Sequence, residues 1–424
     1  MFAAFLTKLS FMVKDEVLRK RILFLLGALI LFRALATIPI PGIDVIRLEQ
    51  FFSNNQFLGL LNIFSGGGLS NLSIVMLGVA PYITATIIMQ LLTLMSARLK
   101  ALYQEEGDAG KRKFTQYSRL LTVPLALIQG FGFLVLLGRQ GIVPDLTLFG
   151  LVANVLVIAA GSILLMWIGE LITEFGIGNG VSLIIFAGIV ASLPATISQL
   201  FFTFDISQIP LYLGFLGAAL LIVAGVVVMA EAERPIPITY AKRVRGMKVY
   251  GGIATYLPLR VNQAGVIPII FALSILLFPQ MILSFLQNIQ NDIVVSVSSF
   301  ILSILSNTTI YAVMYFVLVF LFTYFYTAVT FDPNAIATNL QKSGAFIPGV
   351  RPGKTTAEYI GRILTRITLV GALFLGAIAV LPLGMQVVTG ITALAIGGTA
   401  LLIAVSVVLD LVRKIDAQIS IREY

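Results

Sequence analysis

The chain has 424 residues, 58% hydrophobic and only 11% charged, with a formal net charge of +9 and a mean hydropathy of +1.01. A soluble domain carries about 25% charged residues, so this composition indicates a polytopic membrane protein. Cysteine and histidine are both absent, which excludes disulfides and thiolate sites and removes the commonest metal ligand, general base and proton relay.

The first 21 residues carry Lys8, Lys14, Arg19, Lys20 and Arg21 ahead of any apolar core. They read as a basic cytoplasmic arm or a surface helix, not as a cleavable signal. Apolar runs then predict ten spans, at about 22–40, 74–95, 119–138, 149–171, 181–201, 209–230, 263–286, 308–330, 364–382 and 389–409. Between the first two lies an apolar piece, 56–64, that is far too short to cross about 30 Å of hydrocarbon. The three glycines Gly66, Gly67 and Gly68 follow it and give the backbone a hinge that tolerates positive φ. A short element hinged onto a span is tolerated at membrane depth only inside protein or a water-filled cavity. The protein is therefore expected to enclose a cavity and partly fill it.

Lys and Arg concentrate in 1–21, 97–119, 231–260, 331–366 and 410–424, which hold all but three of the 28 basic residues. With ten spans these five intervals share one side, and the positive-inside rule places both termini and the large loops in the cytoplasm. Three of the loops carry turn-rich basic patterns: 107–113, 240–246 and 342–353. Attraction to anionic lipid explains them in part; their Gly and Pro residues favour shaped loops that dock an acidic or phosphate-rich partner.

Gly78-Val79-Ala80-Pro81 in the second span echoes Gly265-Val266-Ile267-Pro268 in the seventh. Five spans separate them, so the second half enters the membrane with opposite polarity, and a functional site is expected where the halves meet. Val79 and Ile83, Val266 and Ile270, and Val181 and Ile185 each pair one helical turn apart. Such aliphatic pairs suit ordinary packing or a hydrophobic constriction that gates by excluding water. Ionisable residues within the spans are few: Arg33, Glu170 and, at the end of the last, Asp410. Snorkelling accounts for Arg33, and Glu170 lies close enough to the cytoplasmic end to reach water. That poverty argues against the alternative of an ion-coupled secondary transporter. No Walker A motif is present, so no direct nucleotide binding is expected and energy must come from a partner.

Several longer stretches carry a family resemblance. They are Ile40-Pro41-Gly42-Ile43-Asp44, Leu61-Asn62-Ile63-Phe64-Ser65-Gly66-Gly67, Pro81-Tyr82-Ile83-Thr84-Ala85, Phe175-Gly176-Ile177-Gly178-Asn179-Gly180 and 343–353. On these residues the chain resembles the SecY family, the central channel subunits of the bacterial Sec protein translocase. The resemblance implies an all-α membrane protein with ten helices in two inverted-topology halves, 1–201 and 202–409, followed by a cytoplasmic tail, 410–424. It implies a pore ring of Val79, Ile83, Val181, Ile185, Ile270 and Ile403, in which two valines replace the larger isoleucine common in relatives and seal less tightly. It implies a re-entrant plug at about 57–71, including Asn62, Phe64, Ser65, Gly66, Gly67 and Gly68, and a lateral gate bearing Thr84, Gln129 and Asn262. Arg243, Arg245 and Arg351 stand where relatives meet the ribosome or the SecA ATPase. SecE and SecG are implied as further subunits. The implied activity is passive conduction of unfolded polypeptides across the bacterial cytoplasmic membrane, and insertion of signal sequences among its lipids, with no catalysis and no cofactor. The tail is shorter and less basic than in many relatives, which puts its share in partner docking in doubt.

Overall fold

The computed structural model describes residues 14–41, 65, 67–69, 71–104, 106–139, 147–202, 209–240, 243–245, 248–250, 254–286, 291–389 and 392–423. Its elements run α1 (Glu16–Ala36), α2 (Ala80–Met95), α3 (Ala97–Gln104), α4 (Gly107–Arg139), α5 (Leu148–Phe175), α6 (Gly180–Phe202) and α7 (Ile209–Glu231). Four strands follow, β1 (Glu233–Tyr240), β2 (Arg243–Arg245), β3 (Lys248–Tyr250) and β4 (Ala254–Arg260). Then come α8 (Ile267–Leu286), α9 (Asp292–Ser306), α10 (Thr308–Thr330), α11 (Pro333–Lys342), β5 (Ala345–Phe346), α12 (Lys354–Thr389) and α13 (Thr392–Glu423).

Each predicted span meets a helix. Among the described residues four helices are long and apolar enough to cross a membrane, Gly107–Val135, Leu148–Phe175, Thr308–Lys342 and Lys354–Gly384, or five if one bent pair counts as a span. Side chains with short oxygen acceptors set many starts, since they accept from the first free N–H groups. Asp15 Oδ1 accepts from Leu18 N–H at 2.8 Å, Thr147 caps α5, and Asn291 and Asn307 cap α9 and α10.

Three boundaries differ from the hydropathy reading. The second span begins its helix only at Ala80, six residues after the apolar run begins, because turns occupy 71–79. Helix α4 begins at Gly107, so the basic loop before the predicted span is itself helical, with α3 folded back and the Tyr103 ring tilted against Phe114, centroids 4.8 Å apart. The segment 410–423 continues α13 without a break.

The basic loops 231–260 and 331–366 join into one small body with its own core. Strand β1 lies between β4 and β5, antiparallel to both. Pro235 and Pro237 are tolerated there because β5 pairs only with Thr239 and Tyr240, leaving the rest of that edge open. Ile236, Ile238 and Leu259 pack with Ala345, Ile347, Ile360 and Leu364. The hairpin β2–β3 extends from this body, and Arg243 and Arg245 occupy one of its strands.

Candidate functional site

The two echoed segments fold alike. Gly78 and Gly265 both take positive φ, 57° and 62°, a conformation glycine adopts at no steric cost. A helix starts two residues later in each case, at Ala80 and Ile267, with proline in its first turn. Proline suits that place because its missing N–H has no helical partner there. Ile83 N–H donates to Val79 O at 3.0 Å and Ile270 N–H to Val266 O at 3.2 Å, so each aliphatic pair stacks along one helix face.

Helix α6 reaches the same place by a different turn. Gly178 holds φ +97°, and a Cβ on Gly180 would lie 1.8 Å from Gly169 O. Only glycine lets the two backbones touch so closely. Thr173 Oγ1 accepts from Gly180 N–H at 2.8 Å, and Val181 and Ile185 then project from the first turns of α6. Helix α13 contributes Ile403.

These elements bring all six predicted ring residues into one apolar cluster. Val79, Ile83, Ile185, Ile270 and Ile403 are buried in it, and Val181 packs against it half-buried. The cluster draws on both halves of the chain, which meet mainly where α8 packs on α2 and α4 and where α6 packs on α13. A cavity of about 430 Å³ opens against it, with Ile83, Val181, Ile185 and Ile270 in its wall. The rest of that wall is polar on the side of the first half: Tyr82, Gln90, Arg119 and Glu170 line it. Arg119 Nε donates to Glu170 Oε1 at 2.8 Å, and Tyr82 O–H reaches the same oxygen at 3.5 Å. Glu170 therefore pairs with a cation rather than standing alone in the span.

A second cavity of about 310 Å³ shares Asn179, Ser182, Ile267 and Tyr326 with the first. It is bordered by Asn262, Arg260, Arg413 and the ion pair of Lys414 and Asp410, 2.8 Å apart. Arg413 donates to Ala230 O, a carbonyl in the last turn of α7.

The plug segment is described only in part. Residues 57–64, with Asn62 and Phe64, lie outside the described residues, as do Gly66 and Ser70. The remainder forms a tight turn. Ser65 Oγ accepts from Leu69 N–H at 3.0 Å, and Gly68 O accepts from both Ser73 N–H and Ser73 Oγ–H, at 2.9 and 3.0 Å. A Cβ on Gly68 would lie 2.9 Å from Ser73 Oγ, so this glycine serves close packing rather than freedom alone. The connector that follows is stapled at two places. Ile40 N–H donates to Leu72 O and Ile74 N–H to Ile38 O, a short antiparallel bridge to the chain beyond α1. On the other side Ser162 Oγ–H of α5 donates to Gly78 O at 2.8 Å, and the neighbouring Gly161 packs directly on Ile74 O.

The predicted gate residues are less concentrated. Thr84 Oγ1–H donates to Ala80 O inside its own helix, and Gln129 is buried on α4. Asn262 sits in the turn before α8, donates to Gly265 O at 3.2 Å, and borders the second cavity, with Gly371 of α12 beneath its backbone. Arg351 is exposed in the turn before α12. Gly161 and Ser162 escaped the sequence reading, although a small pair inside an apolar helix signals close approach of a neighbour.

The family model described as SecY matches residues 73–412. The curated protein named protein translocase subunit SecY from Mycobacterium leprae is 43% identical, with 100% of this chain and 99% of the relative covered. Its namesake from Streptomyces coelicolor is 41% identical, with 99% of each covered. A solved structure described as a protein conducting channel superposes with a TM-score of 0.67 at 18% identity, covering 96% of this chain and 93% of the other. A canine ribosome–channel complex from the endoplasmic reticulum contains a Sec61 chain with TM-score 0.64 at 17% identity and the same coverage.

Proposed function

The chain belongs to the SecY family, and from that premise we propose how its own residues divide the work of a protein-conducting membrane channel. The observation that carries the reading is the single aliphatic cluster to which α2, α6, α8 and α13 contribute from both halves, with a partly polar cavity against it. An ion crossing such a belt sheds water with no polar compensation, whereas an extended polypeptide fits through it by displacing the aliphatic side chains. Val79, Ile83, Val181, Ile185, Ile270 and Ile403 form the constriction. The segment at about 57–71 is the plug that closes it at rest.

The seam of α8 with α2 and α4 is the lateral gate for signal sequences. Thr84 and Gln129 act from the first half, and Asn262 acts from the turn that launches α8. Exchangeable hydrogen bonds at such positions let an apolar guest part the helices. The ten spans form two halves, 1–201 and 202–409, with 410–424 and the N-terminus on the cytoplasmic side of a bacterial inner membrane. Arg243, Arg245 and Arg351 on the small sheet body and its neighbouring turn meet the ribosome or SecA, and SecE and SecG complete the complex. The subunit itself conducts and performs no catalysis. An ion-coupled transporter, the other reading of the sequence, is displaced by the family match.

Conductance in planar bilayers tests this directly. The wild-type channel is expected to stay closed, and a variant lacking residues 57–68 to pass ions. A deletion variant as tight as wild type would sink the plug assignment. In the cysteine-free background, Phe64→Cys with Ile403→Cys is expected to crosslink at rest and to lose the crosslink when a signal peptide is added.

A further inference from the structure

Helix α9, Asp292–Ser306, has no part in the site above, yet its circumference divides into three distinct arcs. Its 15 residues rise about 22 Å, too little to cross about 30 Å of hydrocarbon. Successive side chains turn by about 100°, so the sequence fixes the place of each on the circumference. The helix packs on α8 and α10, and one arc, centred on Ser298 and Leu305, is buried. A second arc is exposed and wholly apolar. Ile293, Val297 and Phe300 are 75%, 53% and 66% exposed, with Ile304 half-buried between them. The third is exposed and polar, formed by Asp292, Ser296, Ser299, Ser303 and Ser306. A helix lying between protein and water needs only the first and third. The second leaves contiguous apolar surface uncovered, at about 25 cal/mol per Å², and such a patch marks a contact surface.

What covers that arc follows from where α9 ends. Asn307 closes α9 and opens α10: its N–H donates to Ile304 O, and its Oδ1 accepts from Thr309 and Ile310 N–H at 3.0 and 3.3 Å. Helix α10 belongs to a segment long and apolar enough to cross a membrane, and its exposed stripe of Ile310, Val313 and Val317 starts one turn past that cap. The last residue of α9 is therefore held at the level where hydrocarbon begins. From there α10 runs to the small sheet body, so α9 sits at the membrane face opposite that body. At that level, with one arc on protein, the apolar arc calls for lipid and the polar arc for water. The serines suit a boundary poor in water, since Ser299, Ser303 and Ser306 Oγ–H donate to carbonyls three residues back, at 2.9, 2.7 and 3.0 Å. Helix α9 has no Lys or Arg, so apolar insertion rather than attraction to anionic headgroups holds it there. We propose that α9 is an interfacial anchor, with Ile293, Val297 and Phe300 inserted among phospholipid acyl chains, that fixes the depth of the adjoining ends of α8 and α10. This needs only that α10 spans a membrane and is independent of the plug and gate assignments.

The cysteine-free chain allows a direct test. Val297→Cys, Phe300→Cys, Ser299→Cys and Ser303→Cys are each labelled with an environment-sensitive dye in the full chain, reconstituted into vesicles of phosphatidylcholine or of phosphatidylglycerol. Phospholipid brominated near the top of its acyl chains is expected to quench the dye at 297 and 300 several-fold more than at 299 and 303, and aqueous iodide to do the reverse. The pattern is expected to be the same in both lipids and in high salt. Two positions on each arc cover the case in which one variant fails to fold. In native membranes, a benzophenone carried on Val297→Cys or Phe300→Cys is expected to give no protein adduct on illumination. Equal iodide quenching on both arcs overturns the proposal, because the apolar arc would then lie in water. A protein adduct, or shielding of 297 and 300 from both quenchers, also overturns it and makes the arc a contact for another chain. Lipid quenching seen only with phosphatidylglycerol overturns it as well, since charge rather than apolar insertion would then hold the helix.

Discussion

The starts of α2 and α8 share a glycine in the left-handed region, a proline in the first turn and an aliphatic pair, yet they are held very differently. Before α2, Gly78 O is capped by Ser162 of α5, Ile74 O packs on Gly161, and the chain is bridged to 38–40. Before α8, among the described residues, nothing lies within 4 Å of a Cβ on Gly265, and its carbonyl accepts from Asn262 Nδ2, three residues upstream. The other oxygen of that contact pair, Asn262 Oδ1, is buried with no partner, and the side chain borders a cavity. The same local signal therefore builds a fixed post in the first half and a lightly held pivot in the second. A gate needs one of each, since two fixed posts do not part and two loose ones do not seal. On the lateral-gate reading proposed above, α8 is then the side expected to move.

The largest effect that tests this contrast comes from the glycines. Gly161→Ala drives a Cβ to 2.1 Å from Ile74 O, a backbone atom with no room to move. It is expected to cost about 3 kcal/mol, at the upper end of overpacking. Gly265→Ala meets open space, and its left-handed φ alone costs about 1–2 kcal/mol. Denaturant unfolding of the purified channel measures both. Equal losses would break the contrast.

Next come the two hydrogen bonds. Ser162→Ala leaves the buried Gly78 carbonyl without its cap and is expected to cost about 1–3 kcal/mol. Asn262→Ala removes one local bond but also an orphaned buried oxygen, so its cost is expected to be about 0–1 kcal/mol. If α8 is the pivot, Asn262→Ala shifts the signal-peptide concentration needed to open the channel while barely moving the melting temperature. The reverse pattern, a stability loss without a gating shift, would make Asn262 a packing residue only.

How much of this was readable beforehand follows from what each signal measures. Hydropathy located a helix for each predicted span because lipid and core select the same residues. It misplaced the start of α2 because the stretch Ile74 to Val79 is apolar, yet Ile74 N–H and Gly78 O are spent on Ile38 and Ser162, far away in sequence, and local turns take up other groups between them. That Val79, Ile83 and Ile270 share one apolar cluster was legible because the Gly-x-x-Pro echo is local and fixes where α2 and α8 begin, whereas Ile403 came only from the family resemblance. The small sheet was not, since its third strand, Ala345–Phe346, comes from a different loop than the other two. The approach of Arg33 Nη1 to Gly67 was likewise hidden: proximity of residues 34 apart in the chain leaves no periodic trace, and a charge near a helix end reads as snorkelling.

The smallest expected effect concerns the charged wall of the first half. Arg119 and Glu170 join α4 to α5, with Tyr82 of α2 beside them, but the Arg119 side chain is 47% exposed and that of Glu170 17%. A pair so open to water contributes about 0–1 kcal/mol and is screened by salt. Glu170→Gln is therefore expected to lower the melting temperature slightly at low ionic strength and not at all near 1 M salt. Packing of backbone on glycine, which salt does not touch, would then be what makes the first half the fixed post. A large loss that persists in high salt would instead mean that electrostatics tie α2, α4 and α5 together. The asymmetry between the halves would in that case follow from charge, and the second half, whose face of the cavity at Ile267, Ile270 and Phe271 is apolar, would be loose for want of an ion pair rather than for want of close backbone contact.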